Sequence, residues 1–449
     1  MHHAKDTAPS VPFLSRIPPL PFYYGWIILL AGSIGVLASI PGQTMGVSVF
    51  TDHLMEALGL SRVGISSAYM AGTLISSLII PYAGVLFDRY GARIVAAFAS
   101  LFLSGFLFLL AYALPVSQAL SSLGLPMGMA TLAVTILGFL GIRFFGQGVL
   151  TLVSRGMVAK WFGPRRGLAV GLMGIITAFG FSYAPQPLQM LINGWGWQQA
   201  LISLAFILLF LFFPFVLLIF RAEPTTCGLE VEQGMKRISS AKAQKVPDAK
   251  VEKDLKQARK DRAFYLILAS LGFWSLFNTA FTFHITSLYQ EVGFDANQAV
   301  RIFLPISVVS VLARFLGSYL TDRVGMKSIY AGFIASLVVA SISLLFLGSP
   351  LGDLLAILGF GIGGGLFGML NILTWPKLYG RKHLGQISGF AMSVIVAGSA
   401  IGPWIFSVIH RFFGSYKGTG ILGLLWCALM IIMLVLTPFP SAEKEMEQS

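Results

Sequence analysis

The chain has 449 residues, 56% of them hydrophobic and only 11% charged, with a mean hydropathy of +0.80. That composition excludes a soluble globular protein of this length and indicates a polytopic membrane protein. The net charge of +13 does not indicate nucleic acid, because the basic residues alternate between loops instead of forming one patch.

Uncharged runs at 63–87, 94–142, 167–220 and 354–376 recur along the chain, and about 20 apolar residues make one helical crossing. The two longest runs each hold two crossings. Pro115 and Pro126 bracket a turn in one, and Asn193-Gly194 marks a turn in the other. The pattern predicts an all-α membrane protein of twelve transmembrane helices. It divides into a tail (1–21), a first six-helix bundle (22–220), a central loop (221–262), a second six-helix bundle (263–438) and a second tail (439–449). Arg89, Arg93, Arg155, Lys160, Arg165, Arg166, Arg323, Lys327, Lys377, Arg381 and Lys382 fall in loops on one side. The opposite loops hold only Arg62, Arg301, Arg411 and Lys417. The positive-inside rule then places both termini in the cytoplasm of a multi-pass protein of the plasma or inner membrane.

The first 20 residues contain Lys5, Arg16 and several prolines but no apolar core, so they do not read as a signal peptide. The first helix runs from about Phe22 to Pro41-Gly42-Gln43-Thr44, where helical hydrogen bonding should break. A polar break at membrane depth is tolerated only beside protein or a cavity. Gln43 therefore either lines a cavity or satisfies loose backbone groups. The second helix ends in Gly84-Val-Leu-Phe-Asp88-Arg89-Tyr-Gly91-Ala-Arg93, and Asp322-Arg323-Val-Gly325-Met-Lys327 repeats its charged part. Here the chain resembles the major facilitator superfamily, whose loop between helices two and three carries Gly-x-x-x-Asp-Arg-x-Gly-x-Arg/Lys. The resemblance implies two pseudo-symmetric six-helix bundles. It also implies a gating role, away from substrate, for Asp88, Arg89, Arg93, Asp322, Arg323 and Lys327.

In helix four, read as 127–154, Arg143 is the only charge, and Gln147 and Thr151 follow at four-residue steps on the same face. Arg143 either lines the cavity or is a structural arginine bonded to backbone and amide oxygens. The next segment, Lys160-Trp-Phe-Gly-Pro-Arg165-Arg166-Gly-Leu-Ala-Val-Gly171, resembles the pattern of monocarboxylate transporters and the related oxalate/formate antiporters. Arg221-Ala-Glu-Pro224-Thr-Thr-Cys-Gly228 resembles the start of the central loop in the same branch. The rest of that loop reads as a solvated linker. Cys227 and Cys427 support neither a disulfide nor a metal site, and no cofactor is expected.

Helix seven, about 263–289, carries Ser275, Asn278 and Thr282 on one face, then His284 and Thr286. Asn278 and Thr282 could bond a substrate carboxylate or neighbouring helices. His284 reads first as a packed histidine, with an intrinsic pKa that would permit proton coupling. In helix eight, Ser307, Ser310, Arg314, Gly317 and Thr321 share one face, and Arg314 is the only charge between 302 and 321. A charge at membrane depth costs at least about 2.5–3.5 kcal/mol and is usually functional. Both the monocarboxylate and oxalate/formate branches keep a substrate-binding arginine on helix eight before a glycine, which Arg314-Phe-Leu-Gly317 matches. The resemblance implies that Arg314 anchors a carboxylate. Its planar fork, charged at any working pH, suits that role.

The chain departs from those relatives at three places. Ser310 stands where many animal monocarboxylate transporters have an aspartate, and Gln43 stands near their helix-one lysine. Residues 384–409 of helix eleven contain neither Lys nor Arg, which argues against the oxalate transporter's second cation and a tight dicarboxylate clamp. The expectation is an alternating-access carrier of small organic anions, foremost monocarboxylates such as lactate, pyruvate or formate, working as a monomer in the lipid bilayer. Arg314 leads its site, with Gln43, Asn278, Thr282, Ser310 and Arg143 beside it. Coupling by protons, carried by substrate or His284, and exchange of anions both stay open, as does a non-transporting nutrient sensor on the same fold. An enzyme is not expected, since the spans hold no paired aspartates, no His-Glu-x-x-His and no Cys/His cluster.

Overall fold

Without water to bond them, backbone N–H and C=O groups in a bilayer pair within helices. In the computed structural model the described residues form twelve helices long and apolar enough to cross a membrane. The structure describes residues 22–162, 166–221, 224, 253–321, 323–379 and 384–439. The predicted gating residue Asp322, the basic residues Arg165, Arg381 and Lys382, and most of the central loop lie outside them, as does the side chain of Asp88.

The first half comprises α1 (Gly25–Ser48), α2 (Arg62–Phe87), α3 (Arg89–Ala111), α4 (Met127–Trp161), α5 (Leu168–Trp195) and α6 (Trp197–Ile219). The second comprises α7 (Arg262–Phe283), α8 (Ala296–Leu320), α9 (Met326–Ser343), α10 (Pro350–Tyr379), α11 (Phe390–Phe413) and α12 (Lys417–Leu436). Small residues let these helices approach closely. A Cβ at Gly272, Gly398 or Gly402 would meet Val394, Gly272 or the Leu276 carbonyl, so α7 and α11 cross backbone to backbone. Gly361 and Gly365 of α10 lie against Val309 and the Ser310 carbonyl of α8 in the same way. The glycines of α10 thus serve close packing.

The internal repeat has a structural counterpart. Arg93, at the start of α3, donates from Nε to the Phe220 carbonyl just past α6 at 3.0 Å. Lys327, at the start of α9, reaches the Val435 and Thr437 carbonyls at the end of α12 at 3.4 and 3.3 Å. Each half so fastens its third helix to the C-terminal dipole of its sixth. The two turns are not identical: Gly91 takes φ +78, which only glycine adopts without strain, whereas Gly325 has φ −63. Arg89 and Arg323 lie over Tyr90 and Tyr319, at 5.3 and 4.3 Å from the ring centroids.

Among the described residues, the hydrogen bonds between the halves all lie at the end opposite the Asp-Arg turns. Ser66 of α2 meets Ser407 of α11 at 2.6 Å, and Asn193 donates to Asn297 at 3.1 Å. Asp52 accepts from Thr286 Oγ1 at 2.9 Å and Ser287 Oγ at 3.0 Å while paired with Arg62 at 3.3 Å. This end is sealed. Hydrogen bonds to a charged group contribute about 1.5–3 kcal/mol each, so Asp52→Ala should favour opening here by at least about tenfold. Spin labels at positions 56 and 413 would read that as a growing population at longer distance.

Candidate functional site

The site begins with the break in α1. Ile40–Gly42 forms a 3-10 turn, Gln43 is extended (φ −82, ψ 154), and the helix resumes at Thr44. Opposite it, residues Ile142–Leu150 of α4 wind as a π-helix, a wide turn frequent at functional sites. The two irregular stretches cross at Gly42 and Gly146, where a Cβ on Gly42 would run into the Ile142 carbonyl. Arg143 is only 1% exposed and donates to the Gly42 carbonyl at 3.1 Å and Thr44 Oγ1 at 3.3 Å. Its guanidinium stands 5.0 Å from the Tyr69 ring centroid. It thus satisfies a carbonyl beside the Pro-Gly break. Gln43 donates to Ser39 Oγ at 2.8 Å and Thr151 Oγ1 at 3.2 Å, joining α1 to the polar stripe of α4.

That stripe is longer than the sequence reading allowed. α4 continues to Trp161, so Arg155 belongs to the helix and not to the following loop, and Arg143 is not the helix's only charge. Arg143, Gln147, Thr151 and Arg155 follow at four-residue steps, and their exposure rises from buried through half-buried to exposed. The second half shows the same gradient on α8, where Ser307 is buried, Ser310 half-buried and Arg314 exposed. Both helices therefore open toward the end that carries the Asp-Arg turns.

Arg314 has no hydrogen bond or ion pair among the described residues. Its guanidinium rests over Gly368 of α10, and a Cβ there would overlap it. Ser310 lies one turn away, with its Oγ facing Gly364. Because the obstructed atoms are the free end of a side chain, Gly368→Ala should displace the guanidinium and weaken any anion that pairs with it by about tenfold, the scale of one charged hydrogen bond. The melting temperature should stay within a few degrees of the parent. Binding and unfolding of the purified variant would check both.

The other expected residues are placed unequally. Asn278 on α7 is half-buried with no hydrogen-bond partner among the described residues, so its amide is free. Thr282 is buried. His284 is buried beyond the end of α7, where Nε2 lies 2.9 Å from the Pro403 carbonyl and Nδ1 lies 3.2 Å from Tyr416 Oη. The carbonyl can only accept, which puts the proton on Nε2 and leaves Nδ1 to accept from Tyr416. His284 so belongs to the sealed end and is not brought to Arg314. One acidic residue lies within a span that the sequence reading left outside: Asp353, in the first turn of α10, accepts from Tyr289 Oη at 2.9 Å and the Gly348 N–H at 3.1 Å. It too sits at the far end from Arg314. No group of three or more His, Cys, Asp or Glu that could hold a metal occurs among the described residues.

The sequence model of the Major Facilitator Superfamily matches residues 31–403. An uncharacterized 38 kDa protein in the 23S RNA operon of Thermoproteus tenax is 24% identical over 89% of this chain and 91% of its own length. The agnestins efflux protein AgnL12 of Paecilomyces divaricatus is also 24% identical, over 72% of this chain and 67% of its own. Among solved structures, the nucleoside transporter NupG superposes with a TM-score of 0.64 over 91% of this chain and 98% of its own, at 14% identity.

Proposed function

The chain belongs to the major facilitator superfamily, and from that premise we propose that it carries small organic anions, with Arg314 as the carboxylate anchor. It is a secondary transporter and not an enzyme. The observation that supports an anion is Arg314 itself: an exposed guanidinium in a span, without a partner among the described residues, far from the single acidic residue of the twelve helices. A carrier of cations would need a carboxylate in that place. An unpaired arginine instead concentrates anions and gains its partner when substrate arrives.

The positive-inside rule makes the Asp-Arg turns cytoplasmic, so the sealed end is the outer one and the described state faces inward. Substrate would enter between α4 and α8, pair with Arg314, and find Asn278 as a neutral donor, while Gln43 holds α1 to α4 beside it. Neutralising the arginine then permits the halves to rock about the site. The Asp88 and Asp322 loops are proposed to latch the cytoplasmic side after the swing. The resemblance to monocarboxylate transporters and oxalate/formate antiporters nominates lactate, pyruvate, formate and oxalate as first probes. Proteoliposome uptake of these, with and without a pH gradient, against a nucleoside and a neutral sugar, tests the proposal. Saturable accumulation of a carboxylate is expected, and its stimulation by an inward proton gradient or by internal anion separates symport from exchange. Accumulation of only the neutral solutes would overturn the anion reading, and binding without flux would favour a sensor.

A further inference from the structure

Arg155 has no assigned partner and no part in the site as the sequence describes it. It stands on α4 six residues before the helix ends at Trp161, as Arg314 stands on α8 six residues before Leu320. At 1.5 Å per residue both lie about 9 Å inside the same end of the molecule, one in each half. Both are exposed, and neither makes a hydrogen bond or ion pair among the described residues. No acidic residue in the spans separates them, since Asp353 is held at the opposite end by Tyr289 and Gly348.

We infer that Arg155 is a second anion contact, facing Arg314 from the other half, and that the site prefers a small dicarboxylate with one carboxylate on each arginine. This deepens the anion-carrier reading and rests on it. The argument is charge balance on closure. When the basic end shuts, like charges must approach in a medium that screens them poorly. A monoanion leaves one guanidinium uncompensated, whereas a dianion neutralises both and links the two halves directly. Helix eleven, which has neither Lys nor Arg over residues 384–409, is then not needed for the clamp, because α4 supplies the second cation. Each guanidinium can take its carboxylate with two parallel hydrogen bonds.

Equilibrium binding of labelled oxalate, malonate and formate to the purified full chain tests this. The wild-type protein should bind the dicarboxylates more tightly than formate, and Arg155→Gln should lower the oxalate-to-formate affinity ratio by at least about tenfold. Arg155→Lys, which keeps the charge and loses the fork, should lower it by a smaller factor and serves if the glutamine variant does not fold. A ratio unchanged in the folded variants overturns the role of Arg155 while leaving the anion reading intact. Wild-type protein that binds none of the three overturns both.

Discussion

Arg314→Gln is expected to reduce carboxylate uptake into proteoliposomes by at least about a hundredfold, and Arg314→Lys by at least about tenfold. The larger loss follows from two charge-assisted hydrogen bonds at about 1.5–3 kcal/mol each, both absent when the fork is replaced by a neutral amide. Lysine keeps the charge but offers a point donor in place of a plane, so attraction survives and orientation does not. Neither change should unfold the protein. The native guanidinium is exposed, bonds nothing among the described residues, and merely rests on Gly368. Uptake rates normalised to the amount of folded protein would separate loss of binding from loss of fold. Uptake by Arg314→Lys equal to the parent's would remove the arginine from the substrate path.

Arg143→Met is expected to act on the opposite property, lowering stability by about 2–4 kcal/mol while the folded fraction still binds carboxylate. Two effects compete at this position. Removing a buried charge relieves desolvation. Against that, the Gly42 carbonyl loses its donor at the break in α1, Thr44 Oγ1 loses a partner, and the Tyr69 ring loses the cation above it. The arginine is also among the largest fully buried side chains, so its loss leaves a gap where backbone meets backbone at Gly42 and Gly146. These losses outweigh the gain. Thermal unfolding of the detergent-solubilised variant should show the lower midpoint. A variant as stable as the parent but unable to bind would move Arg143 from the scaffold into the site.

The contrast between these two arginines shows what the sequence carries and what it does not. Hydropathy and the repeated Asp-Arg turn were enough to read twelve helices in two halves, because burial in lipid leaves the backbone few alternatives. The face shared by Ser307, Ser310 and Arg314 was legible from helical spacing alone. Whether Arg143 was buried or exposed was not, since that depends on the crossing of a Pro-Gly break with a π-helical turn that no periodicity announces. Arg155 was misplaced for a different reason. A charge near a run of basic residues looks like the start of a loop, yet the helix ends only at Trp161. Continuing the four-residue step from Thr151 would have found it. Gly368 was invisible, because its role is to leave room for a side chain on another helix. The seal between the halves was equally hidden: Asp52, Ser66 and Asn193 gain their meaning from Thr286, Ser287, Ser407 and Asn297, far away in the chain.

These features fit one cycle. The halves are joined by hydrogen bonds at the end away from the basic turns, and polar stripes on α4 and α8 grow more exposed toward the other end. An anion that pairs with Arg314 would remove the charge that resists closure there, and closure would strain the bonds of the opposite seal. His284 is built into that seal through Pro403 and Tyr416, with Ser407 bonded to Ser66 across the halves beside it. Its contribution is therefore to how the hydrogen-bonded end holds and releases, at a distance from Arg314.

The most direct test of the carboxylate anchor is equilibrium binding, free of coupling and of flux direction. Labelled formate, lactate and oxalate should each be titrated against purified wild-type protein and against Arg314→Gln of matched thermal stability. Saturable binding to the wild type that other carboxylates displace and neutral sugars do not, together with its loss in Arg314→Gln, is the predicted result. Equal affinity of the two proteins for the same carboxylate would contradict it.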